Sequence, residues 1–247
     1  MDEGLQDYLS ETLHHLGIAL CYRNDPRLHE SLVLQPEWLT KYAYALRHRA
    51  EKQEGILKHS DLEMVLQMEK DESNRACLMR IMQCFGIVHP AQAAAGLWLV
   101  PQALPCAPPA GLLDAFSDAL AAKRLRYTYQ KLPDDLVERV IMRRFDFIEE
   151  LNEKKLLWRG GVILARKGAR ALIQAAPQDH QVRLTVIGPH KTRHQLADLC
   201  QLEMSNIHAE IPGLESIGEF QTRDGWLPIP AMTADPGAEQ DHVREIA

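Results

Sequence analysis

The stretch V-P-Q-A-L-P-C-A-P-P-A-G, from Val100 to Gly111, holds four prolines in twelve residues. A proline has no N–H for a strand ladder, and its ring clashes with the preceding turn of a helix. No helix interior or central strand can therefore run through this segment. Residues before it recur at helical spacing, and residues after it alternate. The segment thus predicts two units joined near Pro108. Residues 1–107 form a mainly helical unit, residues 108–221 an antiparallel sheet with helices, and residues 222–247 a weakly ordered tail poor in apolar residues. Because each periodic pattern looks complete, the two units are expected to fold independently.

In the first unit Leu5, Tyr8, Leu9, Leu13 and Leu16 fall on one face of a helix. Gly17 ends it, since glycine takes the left-handed terminal conformation without strain. Ile18, Ala19, Leu20 and Cys21 form a short apolar strand, and Leu32, Val33 and Leu34 a second. Between them Asn24, Asp25 and Pro26 supply a turn. Pro36 suits a first helical turn, where its missing N–H costs nothing. Trp38, Leu39, Tyr42, Ala45 and Leu46 continue that helix. Ser60, Asp61, Leu62 and Glu63 read as a capping box, with Ser60 as the cap and Glu63 answering it, for a helix through Leu66. Cys77, Leu78, Ile81, Met82 and Phe85 mark the next helix, ended by Gly86. Ile87-Val88 and Leu97, Trp98, Leu99 and Val100 follow as a two-stranded ribbon, giving the element order of a winged helix.

In the second unit Leu125, Tyr127 and Tyr129 alternate with Arg126, Thr128 and Gln130. Pro133 breaks that strand. Asp134 and Asp135 then open a helix whose positive end favours them. Breaks at Gly160-Gly161, Lys167-Gly168 and Pro177-Gln178-Asp179 divide the next segment into four strands. Val182, Leu184 and Val186 alternate with Arg183 and Thr185, so one sheet face is wet. A helix over about residues 191–207 and a strand over about 217–220 complete an α+β fold.

The chain offers little chemistry. It contains no G-x-x-x-x-G-K-[ST] phosphate loop and no G-x-S-x-G, and Gly160-Gly161 is explained by a turn. His14 and His15 cannot share a helix face. His190 and His194 have chelating spacing, with Asp198 a turn further on, but structural zinc sites want cysteines and four ligands. Asp134 and Asp135 diverge on a helix, whereas a general acid and base must converge. Catalytic, cofactor-binding and metal residues are all assigned as none, and the chain is not expected to be an enzyme.

Five scattered cysteines without a C-x-x-C pair suggest a reduced, buried set and a cytoplasmic location. No apolar run approaches the roughly 18 residues of a membrane span. The acidic N-terminus, MDEGLQDYLSE, has no secretory character. A net charge of −6 argues against nucleic acid. Six basic residues nevertheless cluster without an acid: Lys154, Lys155, Arg159, Arg166, Lys167 and Arg170. They read as a charged sheet edge or as a surface for an acidic partner. Trp98, beside the unit boundary, occupies a place where aromatics anchor interfaces.

The opening pattern (Leu13, Leu16, Gly17, Ile18, Leu20, Tyr22, then Leu34, Pro36, Trp38, Leu39) resembles the start of the COR domain, the module that follows the Roc GTPase domain in Roco proteins. GILKHSDLEMVL, MRIMQCFGIV, LWLVPQAL, YTYQKLPDDLVERVIMRRF and LWRGGVILA resemble further family elements in family order. The resemblance implies a COR-A half, winged-helix-like, followed by a COR-B half of sheet and helices. It implies a non-catalytic, cytoplasmic signalling scaffold that packs against a Roc-type GTPase domain, forms a homodimer and couples dimer state to the GTPase cycle. Trp98, Leu99 and Val100 are then the expected GTPase contact. Trp158, Arg159, Arg166 and Lys167 are the expected dimer or partner surface. These 247 residues contain no Roc domain, so GTP or GDP and Mg are expected only where such a domain is attached, and the chain is read as a fragment or a stand-alone scaffold. The alternative is a winged-helix DNA-binding regulator with a β-rich effector domain. Its recognition helix, NRACLMRIMQCF, would offer only Arg75 and Arg80 to phosphates, where several cations are needed.

Overall fold

The computed structural model describes residues 12–13, 19–21, 32–33, 36–91, 96–117, 119 and 121–229. Most of the helix expected from Leu5 to Leu16 lies outside these residues, as does the chain from residue 230. The architecture is α+β.

In the first half β1 (Leu20–Cys21) pairs antiparallel with β2 (Leu32–Val33). Helix α1 (Pro36–Glu51) begins on its proline and buries Tyr42, Leu46 and Ala50, a stripe at four-residue spacing. Strand β3 (Ile56–Lys58), helices α2 (His59–Leu66) and α3 (Glu72–Cys84), and strands β4 (His89–Pro90) and β5 (Leu97–Leu99) follow. The sheet order is β3–β5–β4. The expected ribbon pairs through His89–Pro90 rather than Ile87-Val88, and it has a third strand, with Ile56 opposite Leu99. Gly55 makes this possible. Its φ is +87°, and a Cβ there would lie 2.7 Å from Leu104.

Helix α2 starts two residues earlier than expected, on His59, with Lys58 rather than Ser60 at the cap position. Asp61, not Glu63, closes its first turn by accepting the Lys58 backbone N–H at 3.3 Å. Arg49 of α1 holds that carboxylate from the other side at 2.8 Å, so a long-range partner decides which acid caps the helix. Glu63 instead pairs with His59.

The second half contains α4 (Asp114–Ser117), β6 (Lys123–Tyr129), α5 (Leu136–Arg143), β7 (Glu150–Leu151), β8 (Lys154–Lys155), β9 (Leu157–Trp158), β10 (Gly161–Arg166), β11 (Ala169–Ala176), β12 (Gln181–Ile187), α6 (His190–Glu210), β13 (Ser216–Thr222) and β14 (Gly225–Pro228). Seven of the strands make one antiparallel sheet, ordered β14–β13–β6–β12–β11–β10–β9. Its inner face presents Leu125, Tyr127, Tyr129, Ile173, Val182 and Leu184 to Val140 and Ile141 of α5 and to Leu196, Met204 and Ile207 of α6. The outer face is only partly wet. Phe116 of α4, Leu156, Trp158, Ile163 and Leu172 form a second apolar cluster there. The first residues of the expected tail belong to the sheet, because Gly225–Pro228 pairs with β13.

The two halves share a core. Ala91, Leu99 and Leu104 belong to the same buried cluster as the second-half sheet, and Ile56 and Leu97 pack against it. The proline segment is not all linker either. Pro101–Ala103 is a 3-10 helix, and Pro101, Ala103 and Leu104 are buried. Cys106 is exposed and Cys77 and Cys84 are half-buried, so the cysteines are not an entirely buried set. Arg159 ties the halves further, its backbone N–H donating to the Pro105 carbonyl at 2.8 Å and its Nη2 to that of Gln102 at 2.6 Å. Independent folding is therefore not what this packing supports.

Candidate partner interface

Trp98 sits on β5, the central strand of the small sheet, opposite Leu57 on one side and Pro90 on the other. It is half-buried, and its ring stacks on His59 with centroids 6.4 Å apart and planes 24° from parallel. An indole with one face packed and part of its surface open can anchor a partner. Leu99 and Val100 cannot. They are 0% and 1% exposed, Leu99 in the shared core and Val100 in the first-half core. Strand alternation turns Leu99 away from the side that Trp98 occupies.

Trp158 is likewise a core residue rather than a surface one, at 2% exposed. Gly161 lies opposite it in the β9–β10 hairpin. A Cβ on Gly161 would fall 2.4 Å from the Trp158 ring. Gly161 is thus more than a turn residue, because its missing side chain is the space the indole fills. The basic run does not converge on one surface. Lys154 pairs with Glu54, Lys155 with Glu150 at 2.9 Å, and Arg170 with Glu149 at 2.7 Å. Arg159 is engaged by Gln102 and Pro105 as above. Arg166 and Lys167, at the β10–β11 turn, stay exposed, Arg166 with its guanidinium over Phe147.

His190 and His194 lie with ring centroids 4.5 Å apart, but Asp198, a turn further along, is held by Lys123 at 3.3 Å. Among the described residues no three His, Cys, Asp or Glu side chains are placed to hold one metal ion. No described helix is long and apolar enough to cross a membrane.

The family description "C-terminal of Roc, COR-A domain" matches residues 1–104, and "C-terminal of Roc, COR-B domain" matches residues 121–244. The two occur in family order on one chain. The chain belongs to the COR domains of Roco proteins. No curated protein matches it. In Roco proteins the COR domain is a non-catalytic module that sits next to the Roc GTPase domain. The COR-A match ends at Leu104, the last residue of the proline segment buried in the shared core. The COR-B match begins just before β6.

Periodicity alone does not reveal the electrostatic ties of the COR-B half. Glu203 of α6 is 3% exposed, and it accepts from Arg144 Nε at 2.7 Å and Arg143 Nη1 at 3.2 Å. Arg143 also reaches Glu210, which raises its pKa. Two adjacent arginines closing α5 were a legible signal, but the acid they clamp lies about sixty residues away.

Glu138, on the same helix as Arg143, has no such partner among the described residues. Burial pushes its carboxyl up to about 7, Asp135 and Asp134 add to the shift, and Arg159 opposes it. Its folded-state pKa lies above the ordinary 4.5. The native state therefore holds the proton more tightly, and the stability this supplies is present below the unfolded value and lost as pH rises through about 7. Replacing it with the neutral amide, Glu138→Gln, should change stability little at pH 5. At pH 8 the variant should exceed the parent chain by on the order of 1 kcal/mol, allowing for partial exposure. Urea midpoints at the two pH values check this, and a gain that is the same at both would contradict it.

Proposed function

We propose that this COR domain docks a Roc-type GTPase domain, in cis or in trans, and forms a homodimer whose state is coupled to the GTPase cycle. Guanine nucleotide, Mg and hydrolysis belong to the Roc partner. The observation that carries the reading is the shared core. Because Leu99 and Leu104 of COR-A are packed into the COR-B cluster, a displacement imposed on COR-A is transmitted to COR-B rather than absorbed at a hinge. Trp98 is the COR-A side chain proposed to face the GTPase. Arg166 and Lys167 are the members of the basic run proposed for a dimer or partner surface.

The α1–β3–α2–α3–β4–β5 order, with the sheet arranged β3–β5–β4, supports a winged-helix-like reading of COR-A. We place the boundary between the halves near Pro108. A cytosolic compartment suits the free thiols of Cys77, Cys84, Cys106 and Cys200.

Trp98→Ala tests the contact. Its indole is half-buried at the margin of the first-half core, so the melting temperature should fall only slightly while binding to a Roc-type GTPase domain weakens by roughly 2 kcal/mol or more. Trp38→Ala is the control. That indole donates to Glu69 at 2.6 Å and meets Tyr42 edge to face at 5.6 Å, so its loss should destabilise COR-A by roughly 2 kcal/mol or more. If Trp98→Ala melts as early as Trp38→Ala, Trp98 is a structural residue and the assignment fails.

A further inference from the structure

We infer that the outer face of the COR-B sheet carries a second docking site, for an acidic peptide segment of a partner protein with an apolar side chain beside its carboxylates. A concavity of about 480 Å³ opens there, on the face away from α5 and α6, and its lining includes Arg124, Arg126, Arg183 and Trp226 but no carboxylate. That volume is within the usual range for bound ligands.

Register makes the arrangement costly for the sheet itself. Arg126 lies directly opposite Arg183 across β6 and β12, with Arg124 two residues further along. Like charges facing each other on one side of a sheet are destabilising. Two of the three are partly neutralised. Arg126 pairs with Glu219 at 2.7 Å, and Arg183 with Asp179 at 2.5 Å. Arg124 has no carboxylate among the described residues. Its Nη2 donates to the main-chain carbonyls of Phe116, Ser117 and Ala119, which leaves Nε and Nη1 to donate elsewhere. Trp226 lies against the Arg126 guanidinium, 4.2 Å from its centre to the ring, and so fixes the plane of that fork. Phe116 and Leu113 supply an apolar wall.

This charge balance selects the occupant. With two arginines already paired, the face has an excess of about one positive charge. It suits one or two carboxylates held by charge-assisted bonds. A nucleic-acid backbone or an anionic membrane needs several unpaired cations, and the apolar wall gives either nothing to bury.

The test uses the intact chain and a fluorescein-labelled Glu-Leu-Glu-Phe-Glu peptide, read by anisotropy. The peptide should bind, its all-glutamine counterpart Gln-Leu-Gln-Phe-Gln should bind at least roughly tenfold more weakly, and Arg124→Gln should cost a similar factor. Arg124 also caps the end of α4, so Arg183→Gln, at an exposed position, provides a second variant with an unchanged melting temperature and the same direction of effect. Equal binding of the two peptides would overturn the proposal, and so would full affinity in Arg183→Gln. Arg183-dependent binding of inorganic phosphate or phosphatidylserine vesicles without peptide binding, or dimerisation of the chain lost in Arg183→Gln, would assign the face to another occupant and equally refute it.

Discussion

Glu203→Ala should unfold the COR-B half at markedly lower urea, with a loss of roughly 3–5 kcal/mol. Glu203 is almost fully buried between α5 and α6, and it is the shared acceptor for Arg143 and Arg144. Removing it leaves two guanidiniums, each less than a third exposed, without the acid that they share. Arg143 retains Glu210, whose side chain is 49% exposed, but Arg144 has no other carboxylate among the described residues. The cost is chiefly that of stranding charge where water cannot reach it, rather than the net worth of the pair. Glu203→Gln should cost less, since its carbonyl still accepts one hydrogen bond. The ranking Ala worse than Gln worse than parent is read from urea midpoints. Equal midpoints for Ala and parent would show that the clamp contributes nothing to folding.

Trp158→Ala should cost about as much, roughly 3–5 kcal/mol. The indole is the largest side chain of the outer-face cluster, packed with Phe116, Leu156, Ile163 and Leu172. Gly161 provides an internal control. Gly161→Ala puts a methyl group where the ring already lies, at 2.4 Å, and should destabilise by roughly 1–3 kcal/mol through overpacking. In the double variant the clash has no ring to meet. The combined loss should therefore fall short of the sum, a coupling expected only for residues in direct contact. Strict additivity, or a Trp158→Ala chain as stable as the parent, would return Trp158 to the surface role that the family resemblance implied.

Those two residues also mark the limits of sequence legibility. The period-two strands of COR-B and the amphipathic helices of COR-A could be read locally, because each is a repeat within a few residues. Leu125, Tyr127 and Tyr129 do face the core, as alternation required. Trp158, Leu99 and Val100 were expected at partner surfaces from the family resemblance, and no local repeat showed that they are buried. The third strand, Ile56–Lys58, turns that ribbon into a sheet, and α4 brings Phe116 against the hairpin. Both partners are remote in sequence. The opposed arginines of the outer face were likewise hidden, since Arg126 and Arg183 meet only once the register of β6 and β12 is known. The proline segment was half legible. Its power to break helices and strands could be read, but the burial of Pro101, Ala103 and Leu104 depends on the core they enter.

The reading of this chain as a partner-binding COR domain is tested most directly by mixing it with a purified Roc-type GTPase domain and measuring complex mass by sedimentation. A stoichiometric COR–Roc complex should form at micromolar concentrations, and its dimer fraction should differ between the GDP-loaded and GTP-analogue-loaded partner. Two components that sediment independently with either nucleotide would contradict the account.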